Sequence, residues 1–314
     1  MKIGFITDPI DGFNPQAETT SFLIQAFQKK KADSFVIPLE SLRLEDGKVK
    51  AHAQKVKIKK GKQGFSFEIV SQKNLDLNTL DALFLRKDPP FNTTYFDHLS
   101  ILEILDETGP LMINDPTGIK LAPEKILPLR FPELCPPTLV SSDSEKLLAF
   151  LKKHKKVVVK PLNEAGGRGI VMLDSQCPSP KALLDVLHKN GLSYVCMQAF
   201  VPEAKKGDKR ILLWNGEILG AFLRVPGKKD FRGNLHSGAT MKTTKVSAYE
   251  KNVVETLAPF LTELGLHFVG LDFLGPWLTE INVTSPMGIF EINSLYKKKV
   301  EDIIARDMIE SNSP

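Results

Sequence analysis

Three oxygen-bearing side chains stand close together near the end of the chain. Glu280 and Asn282 are two apart in a β-rich run over 278–286, so both face one side of a strand. The apolar run over 267–274 reads as a partner strand. Gly275-Pro276-Trp277 is short enough to turn one strand antiparallel onto the other. One face of that hairpin would present Asp272, Glu280 and Asn282 among apolar neighbours. Hard oxygen donors with no His or Cys among them suit Mg²⁺ held jointly with substrate phosphates. The same spacing also describes the solvent face of a half-exposed strand. Acidic and amide residues are poor strand formers, however, so three of them on one side need a reason.

Cations elsewhere fit a phosphate. Lys160 closes the apolar run Val157-Val158-Val159, where a buried ammonium costs desolvation unless an anion meets it. The loop Asn163-Glu164-Ala165-Gly166-Gly167-Arg168-Gly169 lies between two strand-like runs and lacks the Gly-Lys-Ser/Thr that would lead into a helix. It is expected to lie over phosphates as a flap; taken alone it also reads as a plain hairpin turn. Arg86, Arg210 and Arg224 fall at strand ends, and Arg232 and Asn234 in a long loop over 226–244. Planar guanidinium forks suit carboxylates and phosphates, pointing to a polyanionic or amino-acid-like substrate. The loop's length and Gly/Lys content suggest a lid ordered by substrate.

The elements that must position these groups belong to an α/β chain. Strands are expected over 2–7, 80–86, 157–161, 170–173, 194–198, 210–214 and 217–224, and helices over 21–31, 99–108, 180–190, 247–264 and 300–310. Ser142-x-x-Glu145 reads as a capping box opening a helix to His154. With 314 residues there is room for two or three subdomains. The net charge of +5 is mild, and the basic runs at 29–31, 55–62, 152–156 and 297–299 are scattered, so each is expected to be a solvated helix end or loop. No aromatic interleaving suggests a nucleic-acid platform. The three cysteines show no metal spacing and are too few for a disulfide framework, which points to a reducing compartment. No apolar run has the length of a signal peptide or a membrane span, so a cytoplasmic protein without a membrane partner is expected.

Several segments, read in order, carry a resemblance over nearly the whole chain. They are Arg86-Lys87-Asp88-Pro89-Pro90-Phe91, Glu124-Lys125, Lys160-Pro161 with Gly166-Gly167, Gly207-Asp208-Lys209-Arg210 and Arg232-Gly233-Asn234-Leu235. Phe268-Val269-Gly270-Leu271-Asp272 and Thr279-Glu280-Ile281-Asn282-Val283-Thr284-Ser285-Pro286 complete the set. Together they are similar to the bacterial glutathione synthetases of the ATP-grasp superfamily.

The resemblance implies an ATP-grasp fold behind an N-terminal Rossmann-like domain, with units over 1–122, 123–200 (a lid) and 201–314 (catalytic). It implies a homotetramer that ligates γ-glutamylcysteine to glycine with ATP, through an acylphosphate. On matching positions, Asp272, Glu280 and Asn282 would hold Mg²⁺, or Mn²⁺ in its place. Lys125, Lys160, Gly166 and Gly167 would meet the ATP phosphates. Gln198, Ala199, Phe200 and Val201 would line the adenine by backbone hydrogen bonds, with Asp208 near the ribose. Arg210, Arg224, Arg232 and Asn234 would face the peptide or the transferred phosphoryl, and Arg86 and Ser285 the substrate. Phe290, Ala239 and Ala199 depart from the pattern: Phe290 replaces an arginine, Ala239 a glycine and Ala199 a more polar residue. Two other readings remain open on these residues: a glutamate-type ligase acting on another acidic peptide or amino acid, and a nucleotide-binding subunit without catalysis.

Overall fold

The computed structural model describes residues 1–227 and 240–311. The described residues form three sheets. The first begins with β1 (Lys2–Thr7), α1 (Thr19–Lys29) and β2 (Asp33–Pro38). An antiparallel extension follows: β3 (Arg43–Glu45), β4 (Lys48–Gly61) and β5 (Gly64–Asp76). Then come β6 (Ala82–Arg86), α2 (Thr93–Leu102), β7 (Leu111–Ile113) and α3 (Pro116–Leu121). The order is β3-β4-β2-β1-β6-β7 with β5 on β4, and β1 runs parallel to both β2 and β6. Parallel pairing puts the ends of β1 and β6 at one edge, with Thr7 opposite Arg86.

Two expectations fail here. The basic run over 55–62 is not a solvated loop: it lies in the β4–β5 hairpin. Val49, Ala51, Ala53, Val56 and Ile58 are buried while the lysines between them reach water. That alternation is a strand signal hidden by the charge of the outward residues. The helix expected over 99–108 starts earlier, because the Asn92 side chain accepts from the Tyr95 N–H and caps it there. It stops at Leu102, and Gly109 instead closes a later turn on Asp106.

The second sheet comprises β8 (Thr138–Ser141), α4 (Ser144–His154), β9 (Lys156–Pro161), β10 (Val171–Asp174), α5 (Pro180–Leu187) and β11 (Val195–Ala199). Its strand order is β10-β9-β11-β8. The cap of α4 is Asp143, whose carboxylate accepts from the N–H groups of Glu145 and Lys146, so the expected Ser142 box does not form. An aspartate one residue on satisfies two helix-end donors at once and adds favourable charge at the helix N-terminus.

The third sheet holds β12 (Asp208–Trp214), β13 (Glu217–Val225), β14 (Thr240–Thr243), β15 (Phe268–Leu274) and β16 (Trp277–Asn282), with α6 (Ala248–Glu263) preceding β15. Its order is β14-β13-β12-β15-β16. The capping box expected at the start of α6 is present between Ser247 and Glu250. Two helices follow, α7 (Ile289–Tyr296), unforeseen in the sequence, and α8 (Val300–Ser311), the last of the described elements. Part of the loop expected over 226–244 is strand β14; residues 228–239, with Arg232, Asn234 and Ala239, lie outside the described residues.

The first and third sheets share their cores. One cluster joins Leu83 and Leu85 to Leu257, Leu271 and Ile281, and another joins Phe5, Phe27 and Phe84 to Phe268, Ile289 and Ile304. The second sheet has a core of its own around Leu147, Val159, Leu184 and Met197. Asn114 ties the first sheet to the third. Its amide donates to the carbonyls of Phe268 and Val283, and its carbonyl oxygen accepts from the Phe268 N–H at 2.7 Å. Both ends of the β15–β16 hairpin are thereby fixed from outside it. Among the described residues no helix is long and apolar enough to cross a membrane.

Candidate active site

The β15–β16 hairpin forms as expected, with Asp272 directly across from Glu280 and Gly270 across from Asn282. A register shift follows Asp272, where the Thr279 hydroxyl donates to the Asp272 carbonyl. The Asn282 amide nitrogen donates to the Gly270 carbonyl and to Asp272 Oδ2, each at 3.2 Å. Its Oδ1 finds no donor among the described residues and is the atom offered to a ligand.

β12 lies beside β15 and brings Arg210 opposite Asp272. The guanidinium grips both Asp272 oxygens, and Arg224 reaches Oδ1 from β13 at 2.9 Å. Burial by itself would raise the Asp272 pKa, but these two guanidinium groups hold it well below the usual carboxylate range. Arg224 also pairs with Asp208 at 2.6 Å. Burial pushes the Asp208 carboxyl up to about 6 despite that partner, with the Asp272 charge adding to the rise. Asp208 Oδ1 and Arg224 Nε are buried without a partner among the described residues.

Lys160 is buried at the end of β9, with its ammonium 3.5 Å from Glu280 Oε1. It does not turn outward as Lys155 does, so the cost of burying it is offset by an anion across the cleft. Lys125, also buried, donates to the carbonyls of Leu162 and Glu164 at the root of the glycine flap. Gly166 and Gly167 take φ of +67° and +73°, conformations costly for residues with a side chain. The flap touches the Pro89–Phe91 turn, through Phe91 N–H to the Asn163 carbonyl and Arg168 to the Pro89 carbonyl.

A cavity of about 290 Å³ opens between flap and hairpin. Lys125, Lys160, Gly166, Gly167, Asp208, Arg210, Arg224, Asp272, Glu280, Asn282 and Ser285 all line it. So do Gln198, Ala199, Phe200 and Val201, which with Val158, Ile170 and Leu274 make its apolar end. The expected backbone donors there are mostly spent: Ala199 N–H bonds to Pro137 and Phe200 N–H to Lys156. Val201 N–H has no acceptor among the described residues.

Arg86 departs from its expected place. It is 3% exposed and lies behind the cavity wall, donating to Thr20 Oγ1 and to the Pro286 carbonyl. A strand-end position suggested a ligand contact, but the interface with the third sheet covers it. Arg86 therefore holds the segment carrying Ser285, whose hydroxyl leans back toward the Arg86 carbonyl at 3.4 Å. Phe290 is likewise absent from the wall: its ring packs 6.3 Å from that of Phe22. Sequence reasoning missed the role of Glu124. Its carboxylate accepts from the N–H groups of Val283 and Thr284 and from the Thr284 hydroxyl, fixing the chain just beyond Asn282. Its adjacency to Lys125 was the available signal.

A divalent cation is compatible with this donor set. Two carboxylates in register and one free amide oxygen are hard donors. No group of three His, Cys, Asp or Glu side chains suited to a metal occurs among the described residues, so remaining ligands must come from substrate or water.

Comparison with known proteins agrees with this geometry. The family model "Prokaryotic glutathione synthetase, N-terminal domain" matches residues 1–120, and "Prokaryotic glutathione synthetase, ATP-grasp domain" matches 124–297. The chain is 37% identical over 297 residues to the glutathione synthetase of Vibrio parahaemolyticus, covering 94% of each. It is 35% identical over 310 residues to that of Prochlorococcus marinus, covering 99% of each. Among solved structures, D-cycloserine synthetase DcsG superposes with a TM-score of 0.69 at 14% identity, over 98% of this chain and 100% of that one. A RimK domain ATP-grasp protein from Sphaerobacter thermophilus gives 0.65 at 15%, over 98% of each chain. At such identities these two speak for the fold alone. The chain belongs to the prokaryotic glutathione synthetase family and is an ATP-dependent carboxylate–amine ligase with the ATP-grasp fold.

Proposed function

We propose that the chain joins γ-glutamylcysteine to glycine, forming glutathione, ADP and phosphate through an acylphosphate. The observation that carries this reading is the meeting, in one cavity, of the in-register pair Asp272 and Glu280 with Lys160 and Arg210. Phosphoryl transfer to a carboxylate needs positioning and charge neutralisation more than a protein nucleophile. The substrate's own cysteinyl carboxylate and amine supply the reacting lone pairs.

In this reading Asp272, Glu280 and Asn282 would hold Mg²⁺, or Mn²⁺ in its place, which would supply positive charge to offset that of the nucleotide phosphates. Lys125 and Lys160 face the phosphates beneath the Gly166–Gly167 flap. The apolar end takes the adenine, with the Val201 N–H as donor, and Asp208 Oδ1 accepts from a ribose hydroxyl. Arg210, Arg224, Arg232 and Asn234 face the peptide or the transferred phosphoryl. Ser285 contacts the peptide, and Arg86 positions Ser285. The units 1–122, 123–200 and 201–314, a homotetrameric assembly and a cytoplasmic location belong to the same reading.

The test supplies purified protein with ATP, Mg²⁺, γ-glutamylcysteine and glycine, and follows ADP and product. Stoichiometric glutathione and ADP are expected. Silence there, with turnover on other acid–amine pairs, would assign the site to a different acidic peptide or amino acid. Silence on every pair, with ATP still bound, would leave a nucleotide-binding subunit.

A further inference from the structure

Glu291 is a cavity carboxylate to which the reading above gives no task. It stands in the first turn of α7, is 5% exposed, and lines the same cavity as Lys160, Arg210 and Asp272. Its Oε2 is buried without a hydrogen-bond partner among the described residues. Burial holds this carboxyl above its ordinary range, offset in part by its own backbone N–H and by Arg210 and Arg224. Glu18, ahead of α1, adds repulsion. These are the charged groups that face it from β12, β13 and the start of α1. Both arginines are committed elsewhere: Arg210 to Asp272 and the Met287 carbonyl, Arg224 to Asp208 and Asp272. A buried carboxylate with one oxygen unsatisfied is stabilised by a cation that arrives.

We infer that Glu291 receives the incoming amine substrate as its ammonium ion and takes one proton from it as general base. The inference rests on the acylphosphate reading above. Deprotonation frees the nitrogen lone pair, which forms the new N–C bond at the acyl carbon. The C–O bond to phosphate then breaks, and its electron pair leaves with the phosphate. Of the two protons the nitrogen loses, one goes to Glu291 and the other to the departing phosphate. A general base placed against the attacking nitrogen contributes a factor of roughly 10²–10⁴.

The test compares two amines with wild type and Glu291→Gln, supplying ATP, Mg²⁺ and γ-glutamylcysteine. Glycine arrives as an ammonium ion at neutral pH, whereas hydroxylamine is largely neutral there and attacks an acylphosphate without a base. The variant is expected to lose about 10²-fold or more in kcat with glycine while keeping hydroxamate formation within about threefold. Equal loss with both amines overturns the inference, as does an unchanged glycine rate. A rise confined to the KM for γ-glutamylcysteine also overturns it, since Glu291 would then read the dipeptide. If wild type makes neither glutathione nor hydroxamate, the ligase reading itself fails and takes this inference with it. Should the Gln variant not fold, Glu291→Asp carries the same comparison, with loss expected for glycine alone.

Discussion

Arg210 holds both oxygens of Asp272, Nε to Oδ1 at 2.5 Å and Nη2 to Oδ2 at 2.8 Å. The fork lies where a side chain on Gly270 would stand, since a Cβ there would come within 3.1 Å of Arg210 Cδ and Nη1. One of the proposed metal carboxylates is thus already neutralised and aligned by the cation proposed to face the phosphoryl. A bidentate pair of this kind fixes orientation as well as charge.

Gly270→Ala tests that alignment. The obstacle is the flexible Arg210 side chain, so the fold should tolerate the methyl while the guanidinium must give by a few tenths of an ångström against Asp272. We expect kcat/KM to fall roughly tenfold or more, with little change in the thermal unfolding midpoint. A variant with wild-type kinetics would show that the pair's geometry is unimportant to turnover.

Glu280→Gln removes a carboxylate whose single ion-pair partner among the described residues is Lys160. The amide keeps the shape and loses the charge. Ligation should be abolished, while circular dichroism and the unfolding midpoint stay close to wild type. Ligase rates like those of wild type would count heavily against a cation held at this hairpin.

Asp208 gives a pH dependence of stability with a definite sign. Its carboxyl is raised from 3.8 to about 6 on folding, so between those values the folded protein binds more protons than the unfolded one. Stability from this group is therefore present below about 4 and lost as pH rises toward 6. The gap in unfolding free energy between wild type and Asp208→Asn should move against wild type over that window, by on the order of 1–3 kcal/mol. Denaturant titrations at pH 4, 5, 6 and 7, roughly spanning the window, measure it. A constant gap would mean that burial does not raise the Asp208 carboxyl.

Gly118→Ala addresses the seam that carries the hairpin. A Cβ at Gly118 would stand 1.9 Å from the Leu264 carbonyl oxygen, at the end of α6. Backbone cannot yield as a side chain does, so α3 or α6 must shift. A destabilisation of about 3 kcal/mol or more is expected, read as a lowered midpoint in urea. A neutral substitution would show that the first and third sheets are not locked together here.

The sequence by itself determined the hairpin and which side chains share its face. A strand's period of two puts Glu280 and Asn282 on one face, and Gly275-Pro276 leaves little choice but an antiparallel return that brings Asp272 alongside. The flap between two strands was legible for the same reason: Gly166 and Gly167 are local conformational requirements. Local charge misled at β4, where lysines masked an alternating apolar face, and at Asp143, which outbid the serine before it as a cap.

Only the tertiary structure decided which cation meets which anion. Arg210 and Asp272 are 62 residues apart, and their pairing follows from β12 lying between β13 and β15, an order that no local pattern encodes. The same holds for Arg86, which a sheet-to-sheet interface buried behind Ser285, and for Glu291, left unpaired because both nearby arginines found other partners. Periodicity and turn chemistry act over a few residues. Desolvation and ion pairing act through space, and their outcome waits until the sheets are packed.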